Sequence, residues 1–152
     1  QAMTSEAIIT RRYPHPITRV FHAWTLLEHI EQWFRPFDDV KLTVEAFDLR
    51  EGGQYAFRYT WPGHVFPVVG RFLTITPEQT LIFTWVPQEP DPDAGKETMV
   101  SVFFRALSTT ETEVEVRHTL FPDEPMRERH NEGWCATLDR LYRYLTTSPH
   151  TP

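Results

Sequence analysis

The chain has 152 residues and a mass of 18.0 kDa, which suits one domain built on a single core. Apolar residues make up 40% and charged residues 24%, with 11 Phe, 5 Trp and 5 Tyr, a composition that excludes an intrinsically disordered chain. Net charge is -6, from 15 Lys and Arg against 21 Asp and Glu, with no basic stripe, so nucleic acid is not an expected partner.

The lone Cys135 excludes an internal disulfide framework and a cysteine-rich zinc site. No apolar run approaches the ~20 residues that cross a bilayer. No basic segment leads into an apolar one either, so no membrane partner is expected and the cytoplasm is the expected compartment. Gln1 and Ala2 precede Met3 and read as a cleavage scar, which leaves one domain expected over residues 3–147.

In chain order, Ala7 to Tyr13 reads as a first strand, stopped by Pro14 and Pro16. Pro16 suits a helix start, and Ile17, Val20, Phe21 and Trp24 then share one helical face. A second short helix fits Leu26 to Phe34, with Leu27, Ile30 and Phe34 inward and Pro36 ending it. From Val40 the apolar period becomes two, through Leu42 and Val44 to a turn at Gly52-Gly53. Tyr55, Phe57, Tyr59 and Trp61 occupy one strand face, with Ala56, Arg58 and Thr60 on the other.

Pro62-Gly63 predicts a tight turn into a strand over Val65 to Ile75. Pro77-Glu78 turns the chain into Leu81, Phe83 and Trp85. The segment from Pro87 to Lys96 holds three prolines, a glycine and three acids, and reads as a polar hairpin loop. Val100, Val102 and Phe104 follow, then Val114, Val116, His118 and Leu120 on one face of a last strand. These spacings leave no room for crossover helices and predict an antiparallel sheet. Arg105 and Arg117 fall on its outer face beside Glu113 and Glu115 as charge partners.

Pro125 to about Leu145 is the longest helical stretch, capped by Asp123. Met126, His130, Trp134, Leu138, Leu141 and Leu145 form its apolar stripe, and the tail from Thr146 reads as frayed. Twenty helical residues span about 30 Å. A strand of seven or eight spans roughly 24–27 Å, so one helix can cross the concave face of a curled sheet. The fold class is α+β.

The faces this helix and sheet turn toward each other are unusually polar for a core. They carry Tyr55, Tyr59, Trp61, Trp85, His118, His130 and Trp134, whose donors and acceptors need partners when dry. Two readings follow: a filled core with its polar atoms at the rim, or a cleft that takes a small organic molecule. His118 and His130 either tie helix to sheet or orient a ligand. No metal motif, phosphate loop or activated nucleophile is evident, so neither a metal nor a cofactor is expected.

The order and spacing of several segments resemble the START-like, or SRPBCC, superfamily. They are Val20-Phe-His-Ala-Trp-Thr25, Gln32-Trp-Phe-Arg-Pro36, Leu49-Arg-Glu-Gly-Gly-Gln-Tyr55, Val69-Gly-Arg-Phe72 and Leu81-Ile-Phe-Thr-Trp85. Val116-Arg-His-Thr-Leu120 and His130-Asn-Glu-Gly-Trp134 complete the series. Within the superfamily the chain is most similar to bacterial single-domain proteins related to the C-terminal domain of the heat-shock protein 90 ATPase activator.

The resemblance implies a helix-grip fold, with an antiparallel sheet wrapped around the C-terminal helix and an elongated apolar cavity. Trp33, Phe37, Tyr55, Phe57, Tyr59, Trp61, Trp85, His118, His130 and Trp134 are the expected ligand contacts. The mouth is expected near Trp33, Phe34 and Phe37, with a histidine as the orienting polar group. Binding of a small hydrophobic or aromatic molecule is the leading expectation. A cyclase- or hydrolase-like enzyme using the same cavity is the second. A protein-interaction or homodimeric module, presenting the acidic loop and exposed aromatics at Trp33 and Phe37, is the third.

Overall fold

The computed structural model describes residues 6–148, so Gln1, Ala2, Pro149 and Pro152 lie outside the described residues. Seven strands form one sheet: β1 (Ala7–Tyr13), β2 (Lys41–Phe47), β3 (Gln54–Trp61), β4 (His64–Thr76), β5 (Thr80–Pro87), β6 (Thr98–Ser108) and β7 (Glu111–Thr119). The helices are α1 (Ile17–Thr25), α2 (Leu27–Trp33) and α3 (Glu124–Thr147). Strand order is β1-β7-β6-β5-β4-β3-β2, every neighbouring pair antiparallel. This is the helix-grip architecture.

Local chemistry explains the turns. Gly63 takes φ 78°, and Glu78 takes φ 60° in the turn after Pro77. The Pro62-Gly63 turn sets the β3–β4 register, pairing Trp61 with His64 and Tyr59 with Phe66. Arg105 faces Glu113 across β6 and β7, and Arg58 reaches Glu45 at 2.9 Å on the outer surface.

The long helix is held at both ends and along its length. Asp123 accepts from the Met126 amide at 2.9 Å, satisfying a first-turn donor. Tyr13 donates its hydroxyl to the Leu138 carbonyl at 2.9 Å, tying β1 to the middle of α3. The buried Arg19 guanidinium donates to the Leu145 carbonyl at 3.0 Å, a cation placed on the negative end of the helix. The helix runs to Thr147, past the expected fraying point, and Thr146 and Thr147 bond back to carbonyls one turn earlier.

Two expected inward residues face out instead. Leu27 is 40% exposed, because Leu26 kinks the chain between α1 and α2 and rotates the first turn of α2 outward. Leu120 is 61% exposed at φ 70°, where the strand has already ended. This left-handed residue reverses the chain so that Phe121 enters the core, its ring centroid 4.3 Å from that of His118.

Tyr55 crosses the sheet at Gly70. Its hydroxyl donates to the Thr84 carbonyl at 2.5 Å, over a β4 residue that has no side chain. A Cβ at Gly70 would lie 2.0 Å from the Thr84 carbonyl oxygen and 2.6 Å from the Tyr55 hydroxyl. Gly70→Ala therefore forces the sheet or the ring to move. It is expected to lower unfolding free energy by about 2 kcal/mol or more, measured by urea denaturation.

Candidate functional site

The space between helix and sheet is divided in two. At the α1–α2 end the aromatic side chains interlock and leave only about 30 Å³, the volume of one water molecule. Tyr55, Phe57, Phe72 and Phe83 line this residual void together with Trp24 and Trp33. Toward the β3–β4 hairpin and the 87–96 loop, the same interior opens into a cleft of about 420 Å³. Phe34 borders both spaces, its ring 5.7 Å from those of Phe57 and Trp134.

Six of the ten expected contacts line the cleft: Phe37, Tyr59, Trp61, Trp85, His130 and Trp134. Four do not. Trp33 is fully buried, its indole N–H donating to the Ala23 carbonyl at 2.8 Å, so it neither marks a mouth nor offers an exposed surface. Tyr55 and Phe57 belong to the packed end, and His118 lies behind the cleft wall with no exposed surface. The exposed lining residues Phe37, Arg129 and Glu132 mark the mouth.

The structure brings the two histidines together, with ring centroids 5.0 Å apart. It also commits all four of their nitrogens. Trp134 Nε1–H donates to His118 Nδ1 at 3.0 Å. An indole nitrogen is only a donor, so Nδ1 is the acceptor and the His118 proton sits on Nε2. Nε2–H then donates to Thr98 Oγ1 at 2.7 Å, and the Thr98 hydroxyl donates to the Trp85 carbonyl at 2.8 Å. In parallel, Trp85 Nε1–H donates to His130 Nε2 at 3.2 Å, which places the His130 proton on Nδ1, bonded to the Met126 carbonyl at 2.9 Å. Both rings are neutral, and neither has a lone pair or proton left for a ligand. The expectation that a histidine orients the ligand is corrected on this ground.

Burial pushes the His118 pKa well below the ordinary histidine value, and neighbouring His130 adds to the effect. Burial lowers His130 too, opposed in part by its bond to Met126. A second proton on either ring would point a donor at an indole N–H, so the geometry and the direction of both shifts agree.

The acidic loop is the expected hairpin connection, joining β5 to β6 and largely exposed, but one of its acids turns inward. Asp93 is buried, held by Arg129 at 2.5 Å and Lys96 at 3.0 Å. Burial alone would raise its carboxyl pKa, but the two cations outweigh that and hold it below the ordinary range. The loop is thereby fastened to the first turns of α3, where Asp91 and Asp93 reach the cleft. Outside it, a groove of about 530 Å³ shares Trp61, Phe66 and Asp91 with the cleft.

Several lining residues escaped the sequence reading. Phe66 is legible in principle, because counting back from the Pro62-Gly63 turn places it opposite Tyr59. Thr137 lies one turn beyond Trp134 on the same helix. Gly133 stands in the His130-to-Trp134 segment that carries the resemblance, but nothing in its helical position marks it as lining, and a Cβ built on it meets nothing within 4 Å. Asp93 sits in a loop whose path only the structure shows.

The profile of the family described as "Activator of Hsp90 ATPase homolog 1-like protein" matches residues 14–146. The chain belongs to this family. Its members generally carry a ligand-binding cavity. Among solved structures, a Chromobacterium violaceum protein superposes with TM-score 0.83 at 20% identity, covering 95% of this chain and 99% of its own. A Silicibacter pomeroyi protein of the same family gives TM-score 0.81 at 22% identity, with 93% and 97% covered. DynU16, a protein of the dynemicin biosynthetic locus, gives TM-score 0.72 at 21% identity, covering 94% of this chain but 48% of its own. These likenesses establish the fold. No curated protein matches the chain.

The histidine network makes a signed prediction. Unfolded histidines titrate near 6.5, and both folded values lie lower. Between the folded values and about 6.5 the unfolded chain holds more protons, so stability is full above that window and falls as pH drops through it. The limiting slope is about 1.4 kcal/mol per pH unit for each histidine. Urea unfolding from pH 7.5 to 5.5 is expected to show this loss. Histidine ring ¹⁵N shifts are expected to keep His118 in its neutral Nε2–H form across the range.

Proposed function

We propose that this protein is a receptor for a small, largely apolar aromatic molecule held in the cleft beside α3. The observation that carries the reading is the cleft itself. Its volume of about 420 Å³ lies in the range of small-molecule sites. Its walls are rings from three different parts of the fold, with Phe34 from the end of α2, Tyr59, Trp61 and Trp85 from the sheet, and Trp134 from α3. Flat rings with polar edges favour stacking and edge contacts with an aromatic guest. Release of water from such walls contributes about 25 cal/mol per Å² before ordering costs.

Gly133 supports the same reading. A glycine inside a helix is roughly 0.8–1.0 kcal/mol less favourable than alanine, and no neighbour here requires its bare backbone. What the missing side chain provides is room in the cleft. A binding role is also favoured over proton-transfer catalysis, because His130, the lining residue suited to neutral-pH proton transfer, has both nitrogens committed.

Gly133→Ala is expected to raise unfolding free energy by about 0.8–1.0 kcal/mol and to leave binding intact. Gly133→Phe is expected to fold and to abolish binding by filling the cleft. Saturable quenching of indole fluorescence by one- to three-ring aromatic compounds, 2-ethylnaphthalene among them, measures both. Absence of saturable binding by the unmodified protein across that panel, or full binding by the Gly133→Phe variant, refutes the proposal.

A further inference from the structure

The polar groups of the cleft divide into those already committed and those still free. His130 is held by Trp85 and Met126, the Trp134 indole N–H by His118, and Asp93 by Arg129 and Lys96. Two lining hydroxyls are different. Tyr59 on β3 and Thr137 on α3 are each only 6% exposed, and both line the cleft. Among the described residues neither hydroxyl makes a hydrogen bond. Neither oxygen is among the sealed polar atoms that lack a partner, so each keeps some accessible surface, on residues that line the cleft.

The contrast with comparable residues is informative. Tyr13 and Tyr55, also buried, each donate to a main-chain carbonyl. Thr25, Thr146 and Thr147, also helical, each bond back to the carbonyl four residues earlier, whereas Thr137 makes no such bond. A buried hydroxyl without a partner costs free energy, and a guest that supplies one recovers it. Burial also drives the Tyr59 pKa upward, so the phenol stays protonated and able to donate.

The rim adds a second constraint. Asp91 and Glu132 lie at the cleft, and the cation beside them, Arg129, is paired with Asp93. Asp91, Asp93 and Glu132 outnumber Arg129 and Lys96 there, so a carboxylate on the guest would meet a net negative rim.

We infer that Tyr59 and Thr137 determine specificity, donating hydrogen bonds to a neutral oxygen, such as a ketone or quinone carbonyl, on an aromatic guest. The inference rests on the cleft being a receptor and names the guest's chemistry. The histidines act through the walls: they fix Trp85 and Trp134, and their own nitrogens take no part in recognition.

Matched probes test this. 2-Acetylnaphthalene and 2-ethylnaphthalene share a ring system and differ in the carbonyl, and 2-naphthoate replaces the ketone with a charge. The unmodified protein is expected to bind the ketone about tenfold more tightly than the hydrocarbon, since each neutral hydrogen bond adds a factor of about five and the ketone's desolvation removes part of the gain. The naphthoate is expected to bind more weakly than the ketone. Tyr59→Phe and Thr137→Val remove only the hydroxyl function, and each is expected to lose part of the preference. The double variant is expected to bind the ketone no better than the hydrocarbon, with hydrocarbon affinity unchanged.

Melting temperature supplies an independent readout. A hydroxyl that serves the protein lowers it when removed, whereas these substitutions are expected to leave the ligand-free value equal or higher. The inference is overturned if the double variant keeps the preference, if either variant melts markedly lower, or if 2-naphthoate binds more tightly than the ketone. Failure of both neutral probes to bind the unmodified protein overturns the receptor reading itself.

Discussion

One chain of hydrogen bonds organises the middle of this molecule. It runs from the Trp134 indole through His118 and Thr98 to the main chain of β5 at Trp85, and from the Trp85 indole through His130 back into α3. Each donor meets one acceptor, and the direction of every proton follows from the indole nitrogens at its two starting points. A fully satisfied buried network of this kind fixes one arrangement, because any slip of the helix by a turn would leave several buried polar groups unpaired. The position of α3 on the sheet, and with it the shape of the cleft, depends on this register.

The network also explains why the interior is part solid and part open. On one side of it, Trp24, Phe34, Phe57, Phe72 and Phe83 pack in tilted and edge-to-face pairs and close the space. On the other, Trp85 and Trp134 are held back against the histidines, and Gly133 adds no side chain between them and the mouth. Rings that would otherwise collapse into the gap are restrained by directional bonds. The acidic loop completes the arrangement. Through Asp93 and Arg129 it is fastened to α3 beside the cleft, with Lys96 of the loop itself as the second cation on Asp93.

Much of the fold was legible along the chain, because periodicity is a local property. The seven strands, the two short helices and the capped long helix follow from the alternation of Tyr55, Phe57 and Tyr59, from the prolines that end elements, and from the Met126-to-Leu145 stripe. The errors came where a single backbone residue reverses a phase. Leu120 at positive φ and the kink at Leu26 each turn a neighbouring side chain to the other side, and neither leaves a compositional mark. At the site, the aromatic walls were legible and their division was not. Trp33 and Trp134 look alike in sequence, yet one indole is sealed against Ala23 and the other faces the cleft.

Sequence alone determined the alternation of strands, the long amphipathic helix, and the surplus of polar-edged aromatic rings facing inward. Those depend on residues a few positions apart and on the backbone each residue type accepts. The tertiary structure decided which rings fill space and which border it. It also decided whether the histidines have any valence left, and which hydroxyls remain unpaired. Such questions turn on pairings such as His118 with Trp134, Trp85 with His130 and Tyr55 with Gly70, between residues brought together from distant parts of the chain, and hydrogen-bond valence is settled only when both partners are in place.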